Sequence, residues 1–447
     1  MYTRLLSSVF IGVFTSGVLN LTVAQAAAQS SDVQQQPPTA TEPPHQHDMQ
    51  HMQMDHEREM FMVPVRAGSG TSWLPDETPM YAIHRQAGQW TLMGHGNVFL
   101  QYLHETGDRG KEQFGSINWL MGMADRTVGS GHLGLRGMVS LERWTIQGCG
   151  YPDLLASGEV CNGETIHDRQ HPHDLFMEVA ATYDRPVAGD LRLQVYGGPV
   201  GEPALGPTAF PHRISAMLSP LAPISHHWLD STHITYGVIT GGLYGKRWKA
   251  ETSMFNGREP DANRTNFDFG ALDSWSGRIW FLPTNRWALQ VSAGHLTEAE
   301  AGHDGGPRID VDRFTASMTH HRKMRLASIW ASTIGWGRNQ EPGNDATNAL
   351  LAETNLTLDE RDTWFGRFEL SRKSGHDLAI ESEDLFTVAK LQAGYTRYFS
   401  QRNRLKPGVG AALSAAIVPD SLKSLYGNRV NLGFGIFVTV RPAESGM

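Results

Sequence analysis

The sequence is short of cysteine, of basic charge and of long apolar runs. Lys and Arg together number 38 against 46 Asp and Glu, and the net charge of −8 argues against nucleic acid as a partner. Beyond the first few dozen positions no apolar run is long enough for a transmembrane helix, which excludes an ordinary helical membrane protein. The two cysteines, Cys149 and Cys161, lie close together in a Gly-rich stretch without Cys-x-x-Cys spacing. A local disulfide stapling one loop is expected there, rather than a metal pair or a redox motif. The chain also lacks Gly-x-Ser-x-Gly, His-Glu-x-x-His and a phosphate-binding glycine loop. Asp230, Ser231 and His233 sit so close along extended chain that they alternate between faces, so no triad, and no enzyme, is expected.

What is present begins with a leader. Arg4 precedes the apolar run from Leu5 to Val23, and Ala24-Gln25-Ala26 supplies small residues for cleavage, so residues 1–26 read as a secretory signal peptide. Residues 27–62 read as a disordered tail, first rich in Gln, Pro, Thr and Ser, then dense in His45, His47, Met49, His51, Met52, Met54, His56, Met60 and Met62. Thioether sulfur selects Cu(I), and imidazole also accepts Cu(II) or Zn(II), so a copper ion is the suspected ligand of this segment. The segment resembles the Met/His-rich N-terminal region of copper-resistance outer-membrane protein B. Residues 63–88, with Pro64, Pro75 and Pro79, show no period and read as an irregular segment, periplasmic or packed in a barrel mouth.

From Trp90 onward the chain alternates. In Arg429–Val440 the residues Val430, Leu432, Phe434, Ile436, Val438 and Val440 fall on one face, opposite small and polar ones. The pattern predicts strands at about 89–105, 112–125, 132–146, 174–185, 190–198, 233–245, 247–256, 269–282, 286–297, 309–321, 325–337, 348–359, 362–373, 385–399, 406–418 and 428–441. Tight links alternate with long ones, as in a bacterial outer-membrane barrel, and Trp90, Trp248, Trp287 and Trp364 stand at strand starts where an aromatic girdle belongs. The expected fold is all-β: a transmembrane antiparallel β-barrel of about 16 strands over residues 89–442, in the cell outer membrane, with both termini periplasmic. Strands this long exceed those of a soluble sandwich or propeller. Inward candidates Glu178, Gln194, Lys249, Glu251, Arg278, Arg367, Glu369 and Lys390 carry both signs, which fits either a water-filled pore or a closed, salt-bridged interior.

Two long loops hold the remaining chemistry. One ends in His167, Asp168, His171, His173 and Asp174; the other carries His226, His227 and Asp230, with His233 just beyond. Imidazole and carboxylate are ligands of Zn(II), Cu(II) or Ni(II), and the same residues can also form ion pairs that fix a loop. The loops either meet over the lumen as a constriction or stay apart. The blocks Asp168–Asp174, Gly201–Pro207, His226–His233 and Phe255–Pro260 look like those of an uncharacterised family of exported bacterial proteins predicted to be outer-membrane barrels, over most of the chain after Ser69. The expected function is metal handling, copper foremost, with outer-membrane lipid and periplasmic metal-handling proteins as partners. The alternatives are a general or small-solute porin and, third, a barrel enzyme.

Overall fold

In the computed structural model the described residues are 66–302, 306–325 and 327–444. The leader and the tail, with its candidate ligands from His45 to Met62, lie outside the described residues. Alternating side chains become strands because extended backbone turns every second residue to the same face. In chain order these are β1 (Ile83–Ala87), β2 (Trp90–Glu105), β3 (Glu112–Val128), β4 (Gly131–Val139), β5 (Tyr151–Cys161) and β6 (Glu164–Gln170). Next come β7 (Phe176–Ala188), β8 (Leu191–Gly201), β9 (Thr235–Tyr244), β10 (Trp248–Phe255), β11 (Ser274–Thr284), β12 (Trp287–Glu300) and β13 (Ile309–Met324). The last are β14 (Ser328–Gln340), β15 (Thr347–Leu358), β16 (Asp362–Lys373), β17 (Phe386–Tyr398), β18 (Leu405–Ile417) and β19 (Val430–Pro442).

Sixteen of them, β2 to β4 and β7 to β19, form one closed antiparallel ring. β19 pairs with β2 from Gly433↔Glu105 to Val440↔Val98, so the sheet has no free edge between these residues. On β19 the six apolar residues from Val430 to Val440 are exposed while Asn431, Thr439 and Arg441 are buried, so the greasy face points outward. The same sense holds on β17, where Leu391 and Tyr395 are exposed and Lys390, Gln392 and Thr396 are buried. Closure with an apolar exterior satisfies every ladder hydrogen bond internally, the condition for crossing hydrocarbon. No helix among the described residues is long and apolar enough to cross a membrane. Trp248 and Trp364 stand exposed at the short-turn end, as a girdle requires.

Three departures from the sequence reading concern the ends and the inside of the ring. β4 stops at Val139 rather than continuing to 146, and Glu142–Thr145 makes a single helical turn. The Glu142 carboxylate is fully buried there, accepting hydrogen bonds from the Asn118 and His173 backbone N–H groups. Residues 83–87, expected to be irregular, form β1 against the first residues of β2, and Tyr81 bridges Glu444, so both ends of the described chain meet at the short-turn end. The first long loop, read as a link without strands, contains the hairpin β5–β6, and a disulfide joins Cys149, just before β5, to Cys161 at the end of β5.

Two segments of the chain occupy the interior, and the mixed-sign wall residues pair with them and with one another. Residues 202–234 run through the lumen and hydrogen-bond to wall residues around the ring. Ala204 N donates to Ser253 Oγ, Gly206 N to Ser292 Oγ, Ser215 Oγ to Glu353 and Ser225 N to Glu369. Asn97 and Arg367 donate to the carbonyls of Met217 and Leu221. From the other end residues 66–82 enter, with Thr71 O taking Lys249 Nζ and Gly70 O taking Arg136. Wall charges are paired: Arg278 with Glu251 at 2.9 Å, Arg367 with Glu353 at 3.3 Å, and Lys390 with Glu105 at 3.1 Å and with Asp153. The described lumen is therefore crossed by two segments of the chain and lined by paired charges.

Candidate functional site

Near the long-loop end, the two histidine-bearing segments meet inside the barrel. His226 and His227 open the four-residue turn His226–Leu229, and the i,i+4 spacing brings His226 Nδ1 to 2.8 Å from Asp230 Oδ1. Asp230 is held in turn by Arg213 Nη1 at 2.8 Å and by Phe210 N at 2.9 Å. On the facing segment Pro172 keeps His171 and His173 extended. The rings then pack in a connected chain: His171 lies 6.5 Å, centroid to centroid, from each of His173, His226 and His227. His233 is 5.4 Å from His173 and 5.1 Å from His226, and Phe210 wedges among these three. All five histidines are buried.

Their hydrogen bonding follows one rule. Nδ1 meets an oxygen in each: Pro172 O for His171 at 3.2 Å, Glu142 for His173 at 3.0 Å, and Asp230 O for His233 at 2.9 Å. For His227 it is Glu259 at 3.2 Å, and for His226 the Asp230 carboxylate. Those acceptors assign the proton to Nδ1 and leave the Nε2 lone pair outward, the arrangement by which second-shell oxygens orient metal-binding imidazoles. Nε2 of His171, His173, His227 and His233 is buried without a hydrogen-bond partner. For His171, Glu159 Oε1 lies 3.1 Å away in a direction unsuited to a hydrogen bond. Other lumen side chains, Gln101, Trp280 and Tyr398 among them, also hold a buried polar atom without a partner, and what sets these four imidazoles apart is that their rings lie against one another.

Burial holds His171 and His233 well below the usual histidine range, with Arg264 adding to it at His171 and His226 adding to it at His233. Burial also lowers His226, against the pull of Asp230. At His173 and His227 burial acts in the same direction, but Glu142 and Glu259 outweigh it and raise them. One ligand atom each from His227, Glu259 and Glu300 lies within 4.8 Å of the others, a second place for a cation beside the ring of imidazoles.

The remaining candidates from the sequence go elsewhere. Asp168 accepts from Arg109, Leu155 N and Tyr426 OH, and His167 lies 2.9 Å from it, so these two belong to an ion-paired knot that ties β6 to residue 426. Asp174 pairs with Arg264 at 3.4 Å. Sequence reasoning missed Glu142 and Glu159, which share the β4–β7 connection with His171 and His173, Phe210, which shares the segment of His226 and His227, and Glu259 and Glu300, which arrive from the β10–β11 connection and the end of β12. Glu259 alone had a signal, since it lies in the block Phe255–Pro260.

No family model matches the sequence, and no curated protein matches it. Solved structures do share the barrel. An anion-selective porin from Comamonas acidovorans matches with a TM-score of 0.48 at 9% identity, covering 79% of this chain and 99% of that one. Salmonella typhi OmpF, solved in complex with daunomycin, gives 0.47 at 10%, covering 80% and 100%. Pseudomonas aeruginosa OpdQ gives 0.38 at 8%, covering 78% and 97%. None of these likenesses bears on what the filled lumen does.

Proposed function

We propose that the chain is an outer-membrane barrel that binds and passes a transition-metal ion, copper foremost, with its short-turn end and both termini in the periplasm. The observation that carries this reading is the cluster of five buried imidazoles with ring centroids 5.1 to 6.5 Å apart, whose Nδ1 atoms are all held by oxygen. Neutral imidazole is the form that ligates, and the depressed His171, His226 and His233 are in that form at neutral pH. The tail from His45 to Met62 then captures or delivers the ion at the periplasmic side, where metal-handling proteins exchange it.

Copper binding is to be measured on three purified forms: the full chain, a chain beginning at residue 63, and the full chain carrying His226→Gln and His233→Gln. The expected result is that removing the tail lowers the stoichiometry but leaves at least one ion per chain, and that the loop substitutions remove that ion. Absence of binding in all three would end the metal reading. The second reading is a small-solute porin. It is favoured by the polar, mixed-sign wall behind the filling segment, because displacing residues 202–234 would uncover such a lining. Copper-indifferent conductance across a lipid bilayer would support it.

A further inference from the structure

Below the histidine ring, toward the short turns, the lumen changes chemistry. Inward positions of outer-membrane barrels are commonly polar, and on most strands here they carry Lys, Arg, Glu, Ser or Thr. At the short-turn end of β2, β3 and β4, Met93, His95, Met121, Met123 and Met138 stand among the inward residues, with Trp119 packed against His95 and His212. The ladder register places His95 opposite Met121 and Met121 opposite Met138, so one row across three neighbouring strands reads His, Met, Met; the next row pairs Met93 with Met123. Directly paired residues in a sheet hold their Cβ atoms about 5 Å apart, so the row is fixed by backbone rather than by flexible side chains. His212 descends on the filling segment to face it, its ring 5.3 Å from that of His95. Nε2 of His95 lies 3.1 Å from Met121 Sδ, and Nε2 of His212 lies 3.4 Å from Met138 Sδ. Both rings are half-buried, bordering a cavity of about 80 Å³ that Met93, Met123 and Met217 also line.

The distribution of methionine points the same way. Of the chain's 17 methionines, seven gather in this cluster and five in the tail segment, whereas one spread through cores merely as a gap-filler would not concentrate so. Each of the two neighbouring imidazoles there is paired through Nε2 with one thioether sulfur, and the two sulfurs belong to directly paired residues of the ladder. A four-coordinate ion with metal–nitrogen bonds of about 2.0 Å and metal–sulfur bonds of about 2.3 Å sets neighbouring N and S donors about 3.5 Å apart, within a few tenths of an ångström of both observed separations. Thioether ligands select soft monovalent ions over Zn(II), Ca(II) or Mg(II).

We infer that His95, His212, Met121 and Met138 form an internal binding site for Cu(I) or its chemical analogue Ag(I), on the periplasmic side of the imidazole ring. The inference rests on the metal-handling reading and gives it an ion and a route. His212 stands two residues along from Phe210, which touches His173, His226 and His233, so one short segment joins a nitrogen-rich end to a sulfur-rich end.

The test is methyl NMR of the full chain in detergent micelles, labelled at the methionine methyl carbons and titrated with Ag(I). Met121→Leu and Met138→Leu, near volume-conserving changes, assign the two signals. The expected result is that the Met121 and Met138 methyl resonances shift and saturate at one ion per chain in addition to the ions taken by the tail. His95→Leu is expected to weaken that step at least tenfold without moving the tail signals. Tail methionines that shift while Met121 and Met138 stay still would overturn the internal site and leave the metal-handling function standing. If neither group responds, both fall.

Discussion

Replacing Arg213 by methionine is the perturbation whose effect follows most directly from the filled lumen. Arg213 is fully buried and ties the filling segment together: Nε donates to Glu353 Oε1 on the wall at 2.5 Å, while Nη1 donates to Asp230 at 2.8 Å and to Thr208 O at 2.7 Å. Removing one partner of a buried ion pair costs about 3–5 kcal/mol, because the other charge stays behind unpaired. The cost here belongs at the lower end. Glu353 keeps Arg367 and Ser215, and Asp230 keeps His226 and the Phe210 N–H. At about 1.4 kcal/mol per power of ten, a loss of about 3 kcal/mol makes undocking of residues 208–233 roughly a hundredfold more frequent. Hydrogen exchange read by mass spectrometry on the micelle-embedded protein reports that population peptide by peptide. Peptides from 208–233 should exchange roughly a hundredfold faster while β15 keeps its protection, and Arg213→Lys should fall between, since a point charge replaces a fork. Unchanged protection of 208–233, or equal loss in β15, would refute the role given to this arginine.

Other outcomes follow from the same contacts. Gly206 has φ +82° and a Cβ there would stand 1.9 Å from Leu229 O, so Gly206→Ala should destabilise the filling segment by more than the roughly 1–2 kcal/mol of left-handed backbone alone, seen as faster exchange in 204–210. Lower pH should loosen the imidazole ring. His171, His226 and His233 are depressed, so the undocked segment binds more protons below about pH 6.5 and docking weakens as pH falls from there toward their folded values. His173 and His227 are raised and oppose this with a contribution complete below about pH 6.5 and lost as pH rises, while His171 and His233 are displaced well below the usual range and set the expected sign. Exchange of 226–233 at pH 5 and pH 7.5, corrected for intrinsic rates, gives the sign. Loss of the disulfide in Cys149→Ser/Cys161→Ser should cost about 3 kcal/mol of hairpin stability by the chain-entropy relation for a loop this short, checked by proteolysis of β5–β6.

The ring was legible because lipid outside and polar groups inside impose a period of two, which strands such as β10, β15 and β19 carry strictly, while β7 and β8 carry it only in part. β4 was read too long because Leu141 and Arg143 continue the alternation, and nothing local announces that Glu142 will be buried against Asn118 and His173. β5 was invisible for the opposite reason: Tyr151 to Ser157 are all buried, with Leu154 and Leu155 adjacent and Asp153 buried against Lys390, so no alternation of polar and apolar residues forms. At the site, the histidine pairs stood out in the sequence, but their orienting carboxylates did not. Glu142 and Glu159 lie on the same β4–β7 connection as His171 and His173 but 12 to 31 residues upstream, and Glu259 comes from the β10–β11 connection, so only the folded loop and the closed barrel bring them together. The row His95, Met121, Met138 required the strand register, because single methionines in a strand look like ordinary apolar residues.

Ion conductance of the full chain in a planar lipid bilayer tests the central claim most directly, that this sixteen-stranded barrel is closed by its own chain. Barrels of this strand number ordinarily leave an aqueous channel. The filled lumen predicts stable insertion with no steady porin-sized current, and steps that appear only when Arg213→Met releases residues 208–233. A large, steady, ohmic conductance from the unaltered protein would contradict it.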